Sequence, residues 1–402
     1  MTLPLAGLKV VDFGQGGAGP YCGMLLADYG ADVVKVEPPR GDWAREIGVF
    51  DPRLGMTATF ASLNRNKRGI CIDLAVAEGV ELAGALAQQA DIVIEAFRPG
   101  VMERLGLGYE ALAAGHPGLI YCSISGYGQT GPNTGLPASD SVMQAYGGLM
   151  SVVGEEGGEP LRVANIVSDM LAGTNAVAAV LMALYARQSS GRGRQVSTSL
   201  LDSIVAFQST ILSEYLVTGA LPVRRGNRHP LVAPASVFEV TDGHVAFSVL
   251  DHHWRKFCEA MNMQDMTDDP RFHTSAARLA NRAALLERLQ DAVRARRSAE
   301  VIALLGTAGI LCAPVQDYRA LLADPQVRHN GLIGQLPTDD GGLFPVIKSP
   351  MDVGAETRPA TVAPALGEHS VDILTRELGL TADHITDLLD RSVVLARGLA
   401  TH

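Results

Sequence analysis

Asp169 stands at the head of an eighteen-residue run, Met170 to Arg187, whose small residues Ala172, Gly173, Ala176, Ala178, Ala179 and Ala183 predict one tightly packed helix. The free N–H groups and the dipole at a helix N-terminus hold a carboxylate in its ionised form. An ionised, partly desolvated aspartate can attack a carbonyl or thioester carbon. Aspartate is also a favoured helix cap, so the residue alone leaves both roles open. A second feature lies upstream, where Gly14-Gln15-Gly16-Gly17-Ala18-Gly19-Pro20 follows an apolar run and satisfies GxGxxG, with Glu37 further on. Glycines let a backbone approach a diphosphate, and a helix starting at Pro20 presents its N-terminus to it. The pattern fits NAD or FAD, another nucleotide-bearing ligand such as coenzyme A, or a tight structural turn.

Short β-branched runs at Leu8 to Phe13, Asp32 to Glu37, Asp91 to Ala96 and Leu119 to Ser125 alternate with Ala/Leu/Gly-rich helical stretches. That alternation predicts a parallel α/β sheet. From about Pro137 to Gly219 the pattern is mostly helical, with two long helices split by Ser189-Ser190-Gly191-Arg192-Gly193. Strands at Ser236 to Val240 and His244 to Leu250, joined by Thr241-Asp242-Gly243, then precede Arg/Ala-rich helices from Ala276 to Arg297. The expected organisation is a large domain over 1–220, a smaller α+β domain over 221–315, and a linker and C-terminal segment over 316–402 with a late helix from Ser370 to Leu378.

The chain has 402 residues, 47% of them hydrophobic, enough for a large core. A net charge of -10 argues against nucleic acid as a partner. The cysteines Cys22, Cys71, Cys122, Cys258 and Cys312 are odd in number and form no CxxC pair, so neither a disulfide framework nor a metal site is expected. The most apolar stretch, Met170 to Tyr185, carries Thr174 and Asn175 and is shorter than a membrane span needs. No signal peptide is visible at Met1, and a reducing cytoplasm is the expected location with no membrane partner.

A set of motifs in fixed order makes the picture more specific: Leu5-Ala6-Gly7-Leu8-Lys9-Val10-Val11-Asp12, Gly19-Pro20 through Ala31-Asp32-Val33-Val34-Lys35-Val36-Glu37, Asn64-Arg65-Asn66-Lys67-Arg68, and Asp73-Leu74. Phe97-Arg98-Pro99-Gly100 with Leu105-Gly106, Ser125-Gly126-Tyr127-Gly128, Asp169, Gly191-Arg192-Gly193 and Leu366-Gly367-Glu368-His369 follow. With these the chain resembles, over nearly its whole length, the family III coenzyme A transferases (the CaiB/BaiF family), a group that includes formyl-CoA transferase, carnitine CoA-transferase and the α-methylacyl-CoA racemases.

The resemblance implies a Rossmann-like large domain built from N- and C-terminal segments, a smaller α+β domain, and an interlocked ring homodimer. It implies that Asp169 is the nucleophile of an acyl-CoA:carboxylate CoA-transfer, passing through an aspartyl anhydride and an aspartyl-CoA thioester. The coenzyme A thioester is then a substrate, its partner is a carboxylic acid acceptor, and no tightly bound cofactor is expected. The coenzyme contacts carry over to Gln15, Gly16, Gly17, Ala18, Arg40 and Arg104, with Ile72, Ala96, Phe97 and Arg98 nearby. Backbone N–H groups of Gln15 to Ala18 are the candidate oxyanion donors. Trp43, Arg45, Gln129, Ser139, Asp140 and the segment His229 to Pro234 are candidates for the substrate pocket.

Two departures narrow the activity. Gly17 stands where formyl-CoA transferases carry glutamine, and their glycine-rich flap is replaced by Ser248-Val249-Leu250-Asp251-His252-His253, so formate and oxalate are not the expected acids. Where the racemases have a His-Asp pair, this chain has Ser139-Asp140, and serine is a poor general base near neutrality without a partner. A racemase, a dinucleotide-dependent oxidoreductase using Glu37, and a silent coenzyme-binding protein with Asp169 as a cap are the alternatives.

Overall fold

The computed structural model describes residues 3–338, 341–354 and 359–397. The chain divides into two compact units, one of Met1–Leu149, Arg162–Gly219 and Asn330–His402, the other of Met150–Leu161 and Ala220–His329.

The first unit is built on a seven-stranded sheet. Its strands are β1 (Lys9–Asp12), β2 (Asp32–Glu37), β3 (Arg68–Ile72), β4 (Ile92–Glu95), β5 (Ile120–Ser125), β6 (Gln195–Ser199) and β7 (Val394–Leu395), in the order β7-β3-β2-β1-β4-β5-β6. All pairings are parallel except β7 against β3. The predicted parallel α/β sheet is therefore present. Its first six strands follow the doubly wound order 3-2-1-4-5-6, whose direction reverses beside β1, and ligands of such sheets bind beyond the carboxyl ends of the strands there.

Burial follows the two-residue period of the strands. Val10, Val33, Ile92, Ile94, Ile120 and Cys122 pack with α1 (Ala18–Asp28) and α3 (Val167–Ser190) through Cys22, Leu26, Ala172, Ala176 and Val180. Val11, Val34, Val93 and Tyr121 pack on the other face with Leu82, Leu86, Ile373 and Leu388. Each fully buried aliphatic side chain contributes about 1.5–3 kcal/mol, so the C-terminal segment, which supplies Ile373, Leu374, Ile385, Leu388 and Val394, is part of this core.

Four sequence expectations need correction. β3 and β6 add to the expected strands: β6 lies between the two helical stretches on either side of Ser189 to Gly193, and β3, Arg68-Gly69-Ile70-Cys71-Ile72, is a strand despite its glycine. The helix after the glycine loop starts at Ala18 rather than Pro20. The C-terminal segment carries a second helix, Ala382–Asp390, beyond the one starting at Ser370. Helix α3 has 24 residues, long enough by itself to cross a bilayer. Its small-residue face is nevertheless the face packed on α1 and the sheet.

The second unit has its own core. A hairpin of Ala235–Val240 and Gly243–Ser248 pairs with Leu311–Pro314 in an antiparallel sheet. Phe238 and Phe247 stack across the hairpin with centroids 4.2 Å apart, against Phe257, Leu285 and Leu289.

Candidate active site

The carboxyl ends of β1, β2, β4 and β5 open into one cavity of about 640 Å³ in the first unit. After β1 it is lined by Phe13, Gln15, Gly17 and Ala18, after β2 by Arg40 and Trp43, and after β4 by Ala96, Phe97, Arg98 and Pro99. Ser125, Gly126, Ser139, Asp140, Arg162, Ile166 and Asp169 are also on the wall.

Asp169 reaches this cavity because α1 and α3 pack unusually closely. At Gly173 a Cβ would fall 2.8 Å from the Ala18 carbonyl oxygen and 2.9 Å from the Tyr21 ring, so only glycine allows the approach. One turn earlier, Asp169 meets the start of α1. A Cβ on Gly17 would lie 2.7 Å from Asp169 Cγ, and the Ala18 N–H donates to the Asp169 carboxylate.

The expectation that Asp169 opens the helix, ionised by its N-terminus, is corrected. Helix α3 begins at Val167, its N-cap Ile166 offers no side-chain bond, and Asp169 sits in the first turn. The capping bonds come from Asp140 at the start of α2 (Asp140–Tyr146). Its carboxylate accepts from the Ser168 N–H at 2.8 Å and the Ser168 hydroxyl at 2.7 Å. Gln144, one turn along α2, donates to the other Asp140 oxygen at 2.7 Å and accepts from the Val163 N–H at 2.9 Å. With its cap supplied from α2, Asp169 is left facing the cavity. Burial, with the Asp140 charge adding to it, pushes the Asp169 carboxyl up to about 7.

The glycine loop is gripped by two buried ion pairs. Lys35 of β2 donates to the Gly14 carbonyl at 2.7 Å and to Asp42 at 2.8 Å, and Asp42 accepts from the Gly16 N–H at 2.9 Å. Lys67 bonds Asp12, Asn64 and the Pro20 carbonyl, each at 2.8 Å, and Asp12 accepts from the Gly14 N–H at 2.8 Å. Burial opposes the charge on Lys35, but Asp42, Asp12 and Glu37 hold it above the ordinary lysine range. For Lys67 burial wins, and its ammonium falls to about 8. The N–H groups of Gly14 and Gly16 are thereby committed, while that of Ala18 faces Asp169. Those of Gln15 and Gly17 have no protein partner among the described residues.

Of the residues singled out from the sequence, Gln15, Gly17, Ala18, Arg40, Trp43, Ala96, Phe97, Arg98, Ser139, Asp140 and Asp169 line this cavity. Gly16 lies behind it, in a left-handed conformation against the Trp43 ring, where a Cβ would come within 1.9 Å of Cζ2. Ile72 is a fully buried core residue of β3 and does not line the cavity. Arg104, at the end of the short helix Val101–Arg104, and Gln129 are not on its wall either. Arg45 is held by Glu37 in a two-pronged ion pair at 2.7 Å. Glu37 is fully buried in that pair and also accepts from the Asp42 N–H, which removes the ribose-binding carboxylate that the dinucleotide reading requires. The His229 to Pro234 segment belongs to the second unit.

Arg162, Gln144, Lys35 and Asp42 were not singled out. The signal for Lys35 was present, since a lysine inside an otherwise apolar parallel strand must be paired. Gln144 was marked only by its spacing of one helical turn from Asp140. Among the described residues no cluster of histidine, cysteine or acidic side chains could hold a metal ion.

The sequence profile of CoA-transferase family III matches residues 5–370. The succinate–glutarate CoA-transferase of Agrobacterium fabrum is 34% identical, over 92% of this chain and 95% of its own. The succinyl-CoA–D-citramalate CoA-transferase of Chloroflexus aurantiacus is 34% identical, over 97% of this chain and 98% of its own. A crystal structure of a CaiB/BaiF family protein from Brucella suis superimposes with a TM-score of 0.85 at 34% identity, covering 94% of this chain and all of that one.

Proposed function

Since the chain belongs to CoA-transferase family III and is a CoA-transferase, we propose that it moves coenzyme A from an acyl-CoA to a carboxylic acid through covalent intermediates on Asp169. The observation that carries this reading is a carboxylate freed from capping duty by Asp140 and held at the switch point of the sheet, beside two unpartnered backbone N–H groups.

In the first step an Asp169 oxygen attacks the thioester carbon, the C–S bond breaks, and the product is a mixed anhydride plus coenzyme A thiolate. The thiolate then attacks the aspartyl carbonyl carbon, the C–O bond to the donor acyl group breaks, and the donor leaves as its carboxylate. An acceptor carboxylate attacks the resulting aspartyl thioester and expels thiolate, giving a second anhydride. Attack of the thiolate on the acceptor carbonyl forms the new thioester and returns Asp169 as carboxylate. Every tetrahedral stage places negative charge on an oxygen, and the N–H groups of Gln15 and Gly17, two residues of the cavity wall, are the donors we assign to it.

Arg40 and Arg98 follow β2 and β4, flanking the switch point, and suit the phosphates of the coenzyme through their guanidinium forks. The relatives named above take their names from succinate, glutarate and citramalate, and we infer that the acids exchanged here are dicarboxylic. Ser139 in place of a base beside the α-carbon disfavours the racemase alternative. The homodimer also belongs to this reading: Met182 of α3 and Val217 of the Ser209–Thr218 helix, 71% and 85% exposed, leave apolar surface for a second copy. So does a reducing cytoplasm, which suits five free cysteines.

The test is a matrix of acyl-CoA donors and mono- and dicarboxylic acids, read by mass spectrometry of new thioesters, for the protein and for Asp169→Ala. New thioesters formed by the first and not the second are expected. Transfer by both contradicts the reading.

A further inference from the structure

The cavity carries three cationic side chains, of which two, Arg40 and Arg98, are assigned above to the coenzyme phosphates. The third, Arg162, comes from the segment leading into α3, seven residues before Asp169 in the sequence. It makes no hydrogen bond or ion pair with the described residues. Its backbone is nonetheless fixed, because Gln144 clamps the next residue from both sides, accepting from the Val163 N–H at 2.9 Å and donating toward the Val163 carbonyl at 3.2 Å. The same Gln144 amide holds Asp140, whose carboxylate caps the turn that carries Asp169. One side chain therefore anchors both the backbone beside Arg162 and the turn that carries Asp169.

Resting on the transferase reading above, we propose that Arg162 recognises the distal carboxylate of a dicarboxylic acid whose other carboxyl group reacts at Asp169. An acid bound with one end at Asp169 needs a cation at its far end, because a carboxylate brought into a partly closed cavity without a partner loses its hydration uncompensated. Arg40 and Arg98 lie at the strand ends on the coenzyme side, which leaves Arg162. A guanidinium fork meets a carboxylate through two parallel hydrogen bonds, a geometry that a neutral ester or methyl terminus cannot satisfy. Such a site discriminates strongly against the analogue lacking the charged group.

The experiment measures kcat/KM with one acyl-CoA donor for glutarate and for its monomethyl ester, in the unaltered protein, in Arg162→Gln and in Arg162→Lys. The glutarate-to-ester ratio is expected to fall at least tenfold in Arg162→Gln, with Arg162→Lys between the two. An unchanged ratio overturns the assignment, and so does an equal loss with both acceptors, which would put Arg162 on the coenzyme. Absence of transfer to any acid by the unaltered protein is a separate failure, that of the transferase reading, and takes the assignment with it.

Discussion

Gly17 and Asp169 are in contact across the junction of two helices, so close that a single methyl group on Gly17 would stand 2.7 Å from Asp169 Cγ. The Gly17 backbone has a negative φ of -105°, so alanine is opposed there by the carboxylate and not by a left-handed backbone. Gly17→Ala is expected to fold and to push Asp169 off its line of attack. Misplacement of a reacting group by about 1 Å can cost about a hundredfold in rate, and a drop in kcat of that order, with a normal circular dichroism spectrum, is the expected result.

Asp140→Asn tests the borrowed cap. The asparagine oxygen can still accept from Ser168, but its amide would face the Gln144 amide, which now donates to Asp140 at 2.7 Å. Leaving a buried donor without an acceptor costs about 1–3 kcal/mol, so denaturant unfolding should show a loss in that range. Removing the neighbouring charge should also bring the Asp169 titration down, moving the pH–rate midpoint to lower pH.

Lys35 and Asp42 have fully buried side chains 2.8 Å apart. Removing one partner of a buried pair typically costs about 3–5 kcal/mol, while replacing both by apolar groups is far milder. Lys35→Met should therefore be strongly destabilised in urea unfolding, and Lys35→Met combined with Asp42→Leu should recover much of the loss. The double variant should still be slow in transfer, because the Gly16 N–H and the Gly14 carbonyl lose their anchors.

Burial first, and the Asp140 charge second, place the Asp169 titration at about 7. In the proposed mechanism Asp169 attacks as its carboxylate, so kcat/KM for the donor should rise with pH through a midpoint near 7 and level off above it. Glu95, buried at the end of β4 and bonded to the Phe97 N–H, is also pushed up to about 7, so Glu95→Gln is the control that must leave the midpoint in place. Stability runs the other way. An unfolded aspartate releases its proton near pH 4, whereas folded Asp169 keeps it to about 7, so the folded state holds more protons in between and stability falls as pH rises through that window. Asp169→Asn should remove that slope and gain more over the parent at pH 8 than at pH 5 in thermal melts.

The sheet was legible where strands are buried on both faces. Asp32–Glu37 occupies the predicted span, and the other three predicted strands differ only at their ends. Where a strand carries a glycine, as β3 does, or alternates polar residues at an edge, as Gln195–Ser199 does, the continuous apolar signal disappears. The close packing of the helix that carries Asp169 was legible through its small residues, because alanines and glycine on one face mean close approach. The environment of Asp169 was not. The capping role falls to Asp140 and the fixing of both to Gln144, and such pairings across 19 and 28 residues leave no periodic trace in a single sequence. Glu37 shows the converse: it satisfies a motif by spacing, while Arg45, eight residues on, consumes its carboxylate.

The central claim, a covalent bond between coenzyme A and Asp169, is tested most directly by incubating the protein with an acyl-CoA in the absence of any acceptor and digesting it briefly with trypsin near neutral pH. The account predicts that coenzyme A is attached to the peptide Val163–Arg187, is released by hydroxylamine, and is absent from Asp169→Ala. Only unmodified peptide under several donors that support full transfer, or a coenzyme adduct on any other peptide, would contradict it.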